Sequence, residues 1–212
     1  MYDYYLNRSP RMMPKFDPSP DQRRSYSETW EMIFQAADEG PVFFKDMSYY
    51  HLPQLYDDPE LAGRLTNIFL IRDPRRAILS YYKLDQDVTA VEIGLEALWL
   101  HCNWLKTVIG QDPVVVEAEA IQADPEGTIS AIWERIGLPD NKDAFAWQDG
   151  DVPEDWQSVS GWHEAVSGAR GIRPPADDDV EQKFSAAAER EPKLQRLLDH
   201  HLWFYNSLKS FI

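Results

Sequence analysis

Asn67-Ile-Phe-Leu-Ile-Arg-Asp-Pro-Arg-Arg-Ala-Ile-Leu-Ser-Tyr-Tyr82 is the stretch from which the fold is read. Four consecutive apolar residues, Ile68 to Ile71, stop abruptly at Arg72, the pattern of a buried strand. Pro74 then stands at the first position of a helix whose cap is Asp73. Arg72 therefore sits at the carboxyl end of a strand and beside the amino end of a helix. A guanidinium there can grip a phosphate with two parallel hydrogen bonds, and the Ser80 hydroxyl, about two turns along the helix, can donate to the same group. The alternative is that Arg72 pairs with a carboxylate at the sheet edge and Ser80 is an ordinary helix hydroxyl.

Working outward, further strands and helices alternate. Pro41 to Asp46 (PVFFKD) is a short apolar run with a polar end and predicts a second buried strand. Pro113 to Glu117 (PVVVE) predicts a third. Ser25 to Asp38 has Trp30, Ile33 and Phe34 at helical spacing, with Ser27 as cap and Gly40 beyond its end. Tyr49 to Leu52 lead into Pro53 and a short helix. Residues 88 to 109 read as one long helix with Leu95, Leu98, Trp99, Cys102 and Leu105 on a stripe. Pro125 to Ile136 is another helix, ending at Gly137. This alternation predicts an α/β fold, a parallel sheet flanked by helices on both faces, with ligands at the carboxyl ends of the strands. The domain spans 1-212, with an irregular arm at 1-25, a long loop at 138-175 that holds Trp147, Trp156 and Trp162, and C-terminal helices within 177-209.

With 212 residues, 43% hydrophobic and 13% aromatic, the chain is long enough for one such domain and short for two. Its 21 basic and 36 acidic side chains leave a net charge of 21 − 36 = −15, which repels a nucleic-acid backbone or an anionic membrane. Any anion must be held by a local basic site. The single cysteine, Cys102, excludes a disulfide framework and a four-cysteine zinc site, so no metal is expected. No signal peptide or run of about 18 apolar residues is visible, and the chain is expected in the cytoplasm.

Ile71-Arg72-Asp73-Pro74 with Ser80 and Tyr81 resembles the 3′-phosphate motif of the sulfotransferases that use 3′-phosphoadenosine 5′-phosphosulfate (PAPS) as donor. Phe43-Phe44-Lys45-Asp46-Met47 with His51-Leu52-Pro53 is similar to the acceptor-side strand and loop of their bacterial members. Ala123-Asp124-Pro125-Glu126 to Ile136-Gly137-Leu138-Pro139 is similar to the helix and turn after their next core strand. The resemblance covers residues 40 to 140 well. It implies a P-loop NTPase-like fold, PAPS as co-substrate and a small hydroxylated acceptor. Arg72 and Ser80 would bind the 3′-phosphate. Arg170, in Ser167-Gly168-Ala169-Arg170-Gly171, would be a further phosphate contact from a closing loop, or a solvated arginine. His51, and less so Lys45, would stand near the transferring sulfuryl group. The family's usual general base lies two residues after the strand lysine, a position that is Met47 here. His51 lies four residues further on and has the alternative of packing beside Tyr49 and Tyr50.

The chief departure lies before the first helix. No G-x-x-x-x-G-K-[ST] and no Arg-Ser-x-Ser-Thr run follows an apolar strand there, so the usual 5′-phosphosulfate-binding strand and loop are missing from the sequence. Two readings follow. The chain starts downstream of a complete sulfotransferase, or it is a shortened, non-catalytic relative that binds an adenine nucleotide or a protein partner. In the second case the sheet lacks a strand, and its apolar edge needs a cover: a second copy, a partner chain, or the aromatic arm of Tyr2, Tyr4 and Tyr5.

Overall fold

The computed structural model describes residues 1, 3–18, 25–145, 162, 169–176 and 179–212. Its centre is a parallel pair of strands, β1 (Ile68–Ile71) and β2 (Val114–Glu117), in a register that sets Ile68 opposite Val114 and Ile71 opposite Glu117. Two four-residue strands are marginal by themselves and depend on what packs against them. Phe69, Ile71 and Val115 join one buried cluster with Leu95, Cys102 and Leu105 from the segment between the strands, and with Tyr205 and Leu208 near the C-terminus.

That intervening segment is not one helix. It runs as α5 (Ala90–Ile93), α6 (Leu95–Trp104) and a π-turn over Leu105–Ile109. Gly94 separates α5 from α6 with φ +79°, a left-handed conformation that glycine adopts without steric penalty. The expected stripe survives the break, since Leu95, Cys102 and Leu105 are all buried. Between them, β1 is followed directly by α4 (Pro74–Leu84), and β2 by α7 (Ala118–Ala123) and α8 (Pro125–Ile136). Gly137 ends α8 in the left-handed region, as anticipated. The C-terminal helices are α9 (Val180–Arg190) and α10 (Pro192–Lys209). Ile78 of α4 is buried against Phe184 of α9 and Leu194, Leu197 and Leu198 of α10.

Several expectations are corrected. Pro41 to Asp46 is not a strand: it has no ladder partner among the described residues, and Phe43 is 87% exposed. An apolar run becomes a strand only where a neighbouring edge accepts its backbone groups. Helices flank the parallel pair as expected, burying the three valines of β2 and Phe69 and Ile71 of β1, while Leu70 of β1 stays 56% exposed. In α1 (Tyr26–Glu39) the cap is Ser25, not Ser27, because Glu28 stands three residues after Ser25 and closes a capping box. Pro53 lies inside α2 (Ser48–Asp57) rather than before it. After α2 comes α3 (Pro59–Gly63), capped by Asp58.

Residues 3–18 of the arm are more ordered than their prolines suggest. Tyr4–Arg8 makes a π-turn, and Tyr5 and Met13 are buried against Tyr50 of α2. Arg11 reaches two buried carboxylates, Asp85 at 2.5 Å and Glu92 at 2.6 Å, and fastens the arm to the α4–α5 connection. The arm thus lies on α2 and α5 and not along the sheet edge; Tyr2 is outside the described residues. Most of the 138-175 loop is outside them too, including Trp147, Trp156, Ser167 and Gly168. Its described parts include a 3-10 turn over Lys142–Phe145 and the single residue Trp162.

Two buried histidines make the fold sensitive to acid. Burial, with His51 adding to it, pushes His101 down to about 3, and burial with neighbouring His200 pushes His201 down to about 4. An unfolded chain protonates both rings near pH 6.5, so stability is complete above that value and is lost as pH falls toward the folded values. Each ring contributes about 1.4 kcal/mol per pH step of that interval. Urea midpoints measured from pH 7 to 4 are expected to fall steadily, and His201→Leu to flatten the slope. Parallel slopes in the two proteins would show that His201 is not the group responsible.

Candidate functional site

The carboxyl ends of β1 and β2 carry the charged groups that sequence reading sought. Asp73 caps α4, its carboxylate accepting from the Arg75 backbone N–H at 2.7 Å. Arg72, one residue earlier, is held at the corner where the strand turns into the helix. The register brings β2's exit alongside it: Ile71 faces Glu117, and Glu119 stands in the first turn of α7. Glu119 Oε1 accepts from the Asp73 backbone N–H at 3.3 Å and lies 3.9 Å from Arg72 Nε. The alternative reading of Arg72, pairing with a carboxylate at the sheet edge, is the arrangement observed. Arg72 Nε and Glu119 Oε2 are each enclosed without a hydrogen bond.

Glu117 faces the C-terminal helix. It accepts from the Tyr205 hydroxyl at 2.5 Å and pairs with Lys209 at 3.1 Å. Burial opposes its ionisation, but the Tyr205 and Lys209 contacts outweigh it and hold the carboxyl below its ordinary range. Ser80 is exposed on α4 and makes no hydrogen bond to Arg72. Tyr81, the next residue, packs edge-on against Trp162 at 4.8 Å, and the Trp162 indole donates to the Pro14 carbonyl at 2.7 Å. Trp162 thus links Tyr81, next to Ser80, to the arm. Arg170 is exposed beside buried Ala169.

A second constellation surrounds the start of α2. His51 Nδ1 is 3.2 Å from Asp46 Oδ2, and the Met47 backbone N–H donates to Asp46 Oδ1 at 2.8 Å. Burial works against the Asp46 anion, yet the His51 hydrogen bond, nearby positive charge and the Met47 amide together keep the carboxyl below its ordinary range. Ser48 Oγ lies 3.1 Å from His101 Nδ1, and both residues are buried. The two imidazoles meet edge to face at 5.8 Å. Lys45 is exposed. The structure therefore joins His51 to Asp46 and Arg72 to Glu119. Asp46, Ser48, His101 and Glu119 were not singled out as site residues from sequence. A signal for His101 existed: a polar residue directly preceding Cys102 in an apolar helix needs a partner. Nothing in the local pattern marks Glu119, whose place depends on strand register. Among the described residues no group of three or more His, Cys, Asp or Glu side chains is arranged to hold a metal ion.

A family model described as Sulfotransferase domain matches residues 7–211, nearly the whole chain. Two Arabidopsis thaliana proteins are similar over part of it. The "Branched-chain-amino-acid aminotransferase-like protein 1" is 27% identical over 154 residues, 72% of this chain and 26% of that protein. The "Branched-chain-amino-acid aminotransferase-like protein 2" is 26% identical over 117 residues, 55% of this chain and 20% of that protein. The chain matches about a quarter or less of the length of these curated relatives. No solved structure matches it.

The buried Ser48 and His101 pair generates its own test. Ser48→Ala leaves a ring nitrogen of His101 buried without a partner, since its other nitrogen, Nε2, already lacks one. Such a loss costs about 1–3 kcal/mol, to be read as a lower denaturant midpoint with an unchanged slope. An unchanged midpoint would show the hydrogen bond to be energetically neutral.

Proposed function

The chain belongs to the sulfotransferase-domain family, and from that premise we propose that it transfers a sulfuryl group from PAPS to a hydroxyl of a small-molecule acceptor. One observation carries the reading: a strand whose carboxyl end delivers Arg72 straight into an Asp73-capped helix, with an enclosed guanidinium N–H that makes no hydrogen bond. A donor so placed suits the 3′-phosphate of the nucleotide, with Ser80 further along the same helix and Arg170 from the loop as the remaining contacts. These residues bind and orient the donor, and alignment is most of what sulfuryl transfer asks of a protein, as with phosphoryl transfer.

The acceptor's proton goes to His51. Asp46 on Nδ1 fixes the ring and the tautomer, which leaves the lone pair of Nε2 to receive the proton. As the acceptor oxygen bonds to sulfur, the bond from sulfur to the donor phosphate oxygen breaks and adenosine 3′,5′-bisphosphate leaves. Lys45, exposed one residue before Asp46, is the second candidate near the sulfuryl oxygens. The reading extends to a cytoplasmic protein with a P-loop NTPase-like fold that engages neither nucleic acid nor membrane. In its support, the net charge is −15, and no helix among the described residues is long and apolar enough to cross a bilayer. A second copy or a partner chain over the sheet edge goes with it, since Leu70 of β1 is exposed.

The second reading, a non-catalytic relative that binds an adenine nucleotide or a protein partner, is favoured by the Glu119 carboxylate beside Arg72. Calorimetric titration with adenosine 3′,5′-bisphosphate separates the two together with a turnover assay. Donor-product binding that is lost in Arg72→Ala and weakened at least fivefold in Ser80→Ala supports the pocket; a wild-type chain that does not bind overturns it. His51→Ala is expected to lower turnover about 100-fold while leaving bisphosphate affinity within twofold. Turnover equal to wild type would remove His51 from the chemistry.

A further inference from the structure

The donor reading above places a phosphate at Arg72, yet the structure already has an anion there. Glu119 Oε1 takes the Asp73 backbone N–H at 3.3 Å and lies 3.9 Å from Arg72 Nε, so the amide and guanidinium that would hold a phosphate oxygen both face a carboxylate. Both contacts are longer than a well-formed hydrogen bond of 2.7–3.2 Å. Neither partner is satisfied by the arrangement, because Arg72 Nε and Glu119 Oε2 remain enclosed without hydrogen bonds. A carboxylate with two oxygens in this position only partly fits the donors around it. A phosphate monoester brings three acceptor oxygens and more charge, and suits a forked guanidinium plus a backbone amide better. Glu119 also has somewhere to go. It lies in the first turn of a six-residue helix and its side chain is 29% exposed, so a rotamer change moves the carboxylate away from the corner.

We propose that Glu119 is the resident counter-ion of the anion pocket and a specificity-determining residue: a ligand phosphate binds by displacing the Glu119 carboxylate from Arg72 and the Asp73 amide. The consequence is exchange instead of simple addition. Each binding event breaks one charge contact as it makes another, which lowers affinity for an anion seated at this corner and leaves bound there only a ligand whose phosphate outcompetes a carboxylate. Release of the nucleotide product is assisted in the same way, by the carboxylate returning.

This inference rests on the assignment of Arg72 to a ligand phosphate, and the test separates the two. Adenosine 3′,5′-bisphosphate and adenosine 5′-monophosphate are titrated calorimetrically into the wild-type chain, Glu119→Gln and Arg72→Ala, each checked for an unchanged thermal transition. Glu119→Gln is expected to bind the bisphosphate three- to tenfold more tightly than wild type, with a smaller change for the monophosphate, and Arg72→Ala to lose the bisphosphate. Unchanged or weaker bisphosphate binding in Glu119→Gln, with Arg72→Ala still defective, overturns the counter-ion role alone. Equal tightening for both nucleotides also overturns it, since that is the effect of one fewer negative charge anywhere on the surface. Bisphosphate affinity undisturbed in Arg72→Ala, or no binding by either wild type or Glu119→Gln, removes the phosphate assignment and the counter-ion role together.

Discussion

The parallel pairing of β1 and β2 is the constraint from which the rest of the structure follows. Only four residues from each strand take part, and a pair of this size has little stability without covering helices. Its buried side chains Phe69, Ile71 and Val115 are packed by α6, which lies between the strands in sequence, and by Tyr205 and Leu208 of α10, which is far from both. The same α10 holds Ile78 of α4 through Leu194, Leu197 and Leu198. One C-terminal helix thus braces both the strands and the helix that leaves the first of them. The elements on either side of the corner at Arg72 share that brace.

Register turns this packing into chemistry. With Ile71 opposite Glu117, the residues leaving the two strands are forced to meet, and they carry opposite charge: Arg72 on one side, Glu117 and Glu119 on the other. Lys209 and Tyr205 of α10 engage Glu117, leaving Glu119 to face Arg72. A slip of one residue would invert the faces of β2 and send its three buried valines to new surroundings, so the charge arrangement is fixed by apolar burial. In a chain of net charge −15, the cation at the end of β1 is met by a carboxylate from the element that follows β2. The total charge therefore says little about any one corner of the molecule, where local geometry decides which charges meet.

Much of this was legible in the sequence wherever a local rule decides the outcome. Asp73 before Pro74, Asp124 before Pro125 and the left-handed Gly137 are short-range signals, and each element they bound lies where it was expected. The reading failed where long-range partners decide. Pro41 to Asp46 has strand composition but no edge to pair with, so Phe43 is exposed instead of buried. Residues 88 to 109 keep their apolar stripe, yet Gly94 breaks the helix because it adopts a conformation that costs other residues more. The Arg11 clasp on Asp85 and Glu92 joins residues more than seventy apart, and no window of sequence could contain it. At the site, Arg72 was found by its position at a strand end, whereas Glu119 and the pairing of His101 with Ser48 depend on register and on which way a helix turns its face.

The two adjacent imidazoles show why burial decides which of them can serve in proton transfer. His101 is 3% exposed, its Nδ1 is engaged by Ser48 and burial keeps it neutral well below pH 6. A ring so placed is too weak a base to take a proton at neutral pH, and an acceptor molecule has no approach to it. His51 differs on each count: its side chain is 14% exposed and a carboxylate below its ordinary range stands on Nδ1. Asp46 holds the His51 ring through Nδ1 at 3.2 Å, and the neighbouring His101 is uncharged. Had both rings been exposed, each would have raised the cost of charging the other. Sequestering His101 in the core therefore leaves His51 as the more accessible ring of the pair, and under the proposed sulfotransferase reading the loop from Asp46 to His51, instead of the helix stripe behind it, is the side from which an acceptor hydroxyl would be activated.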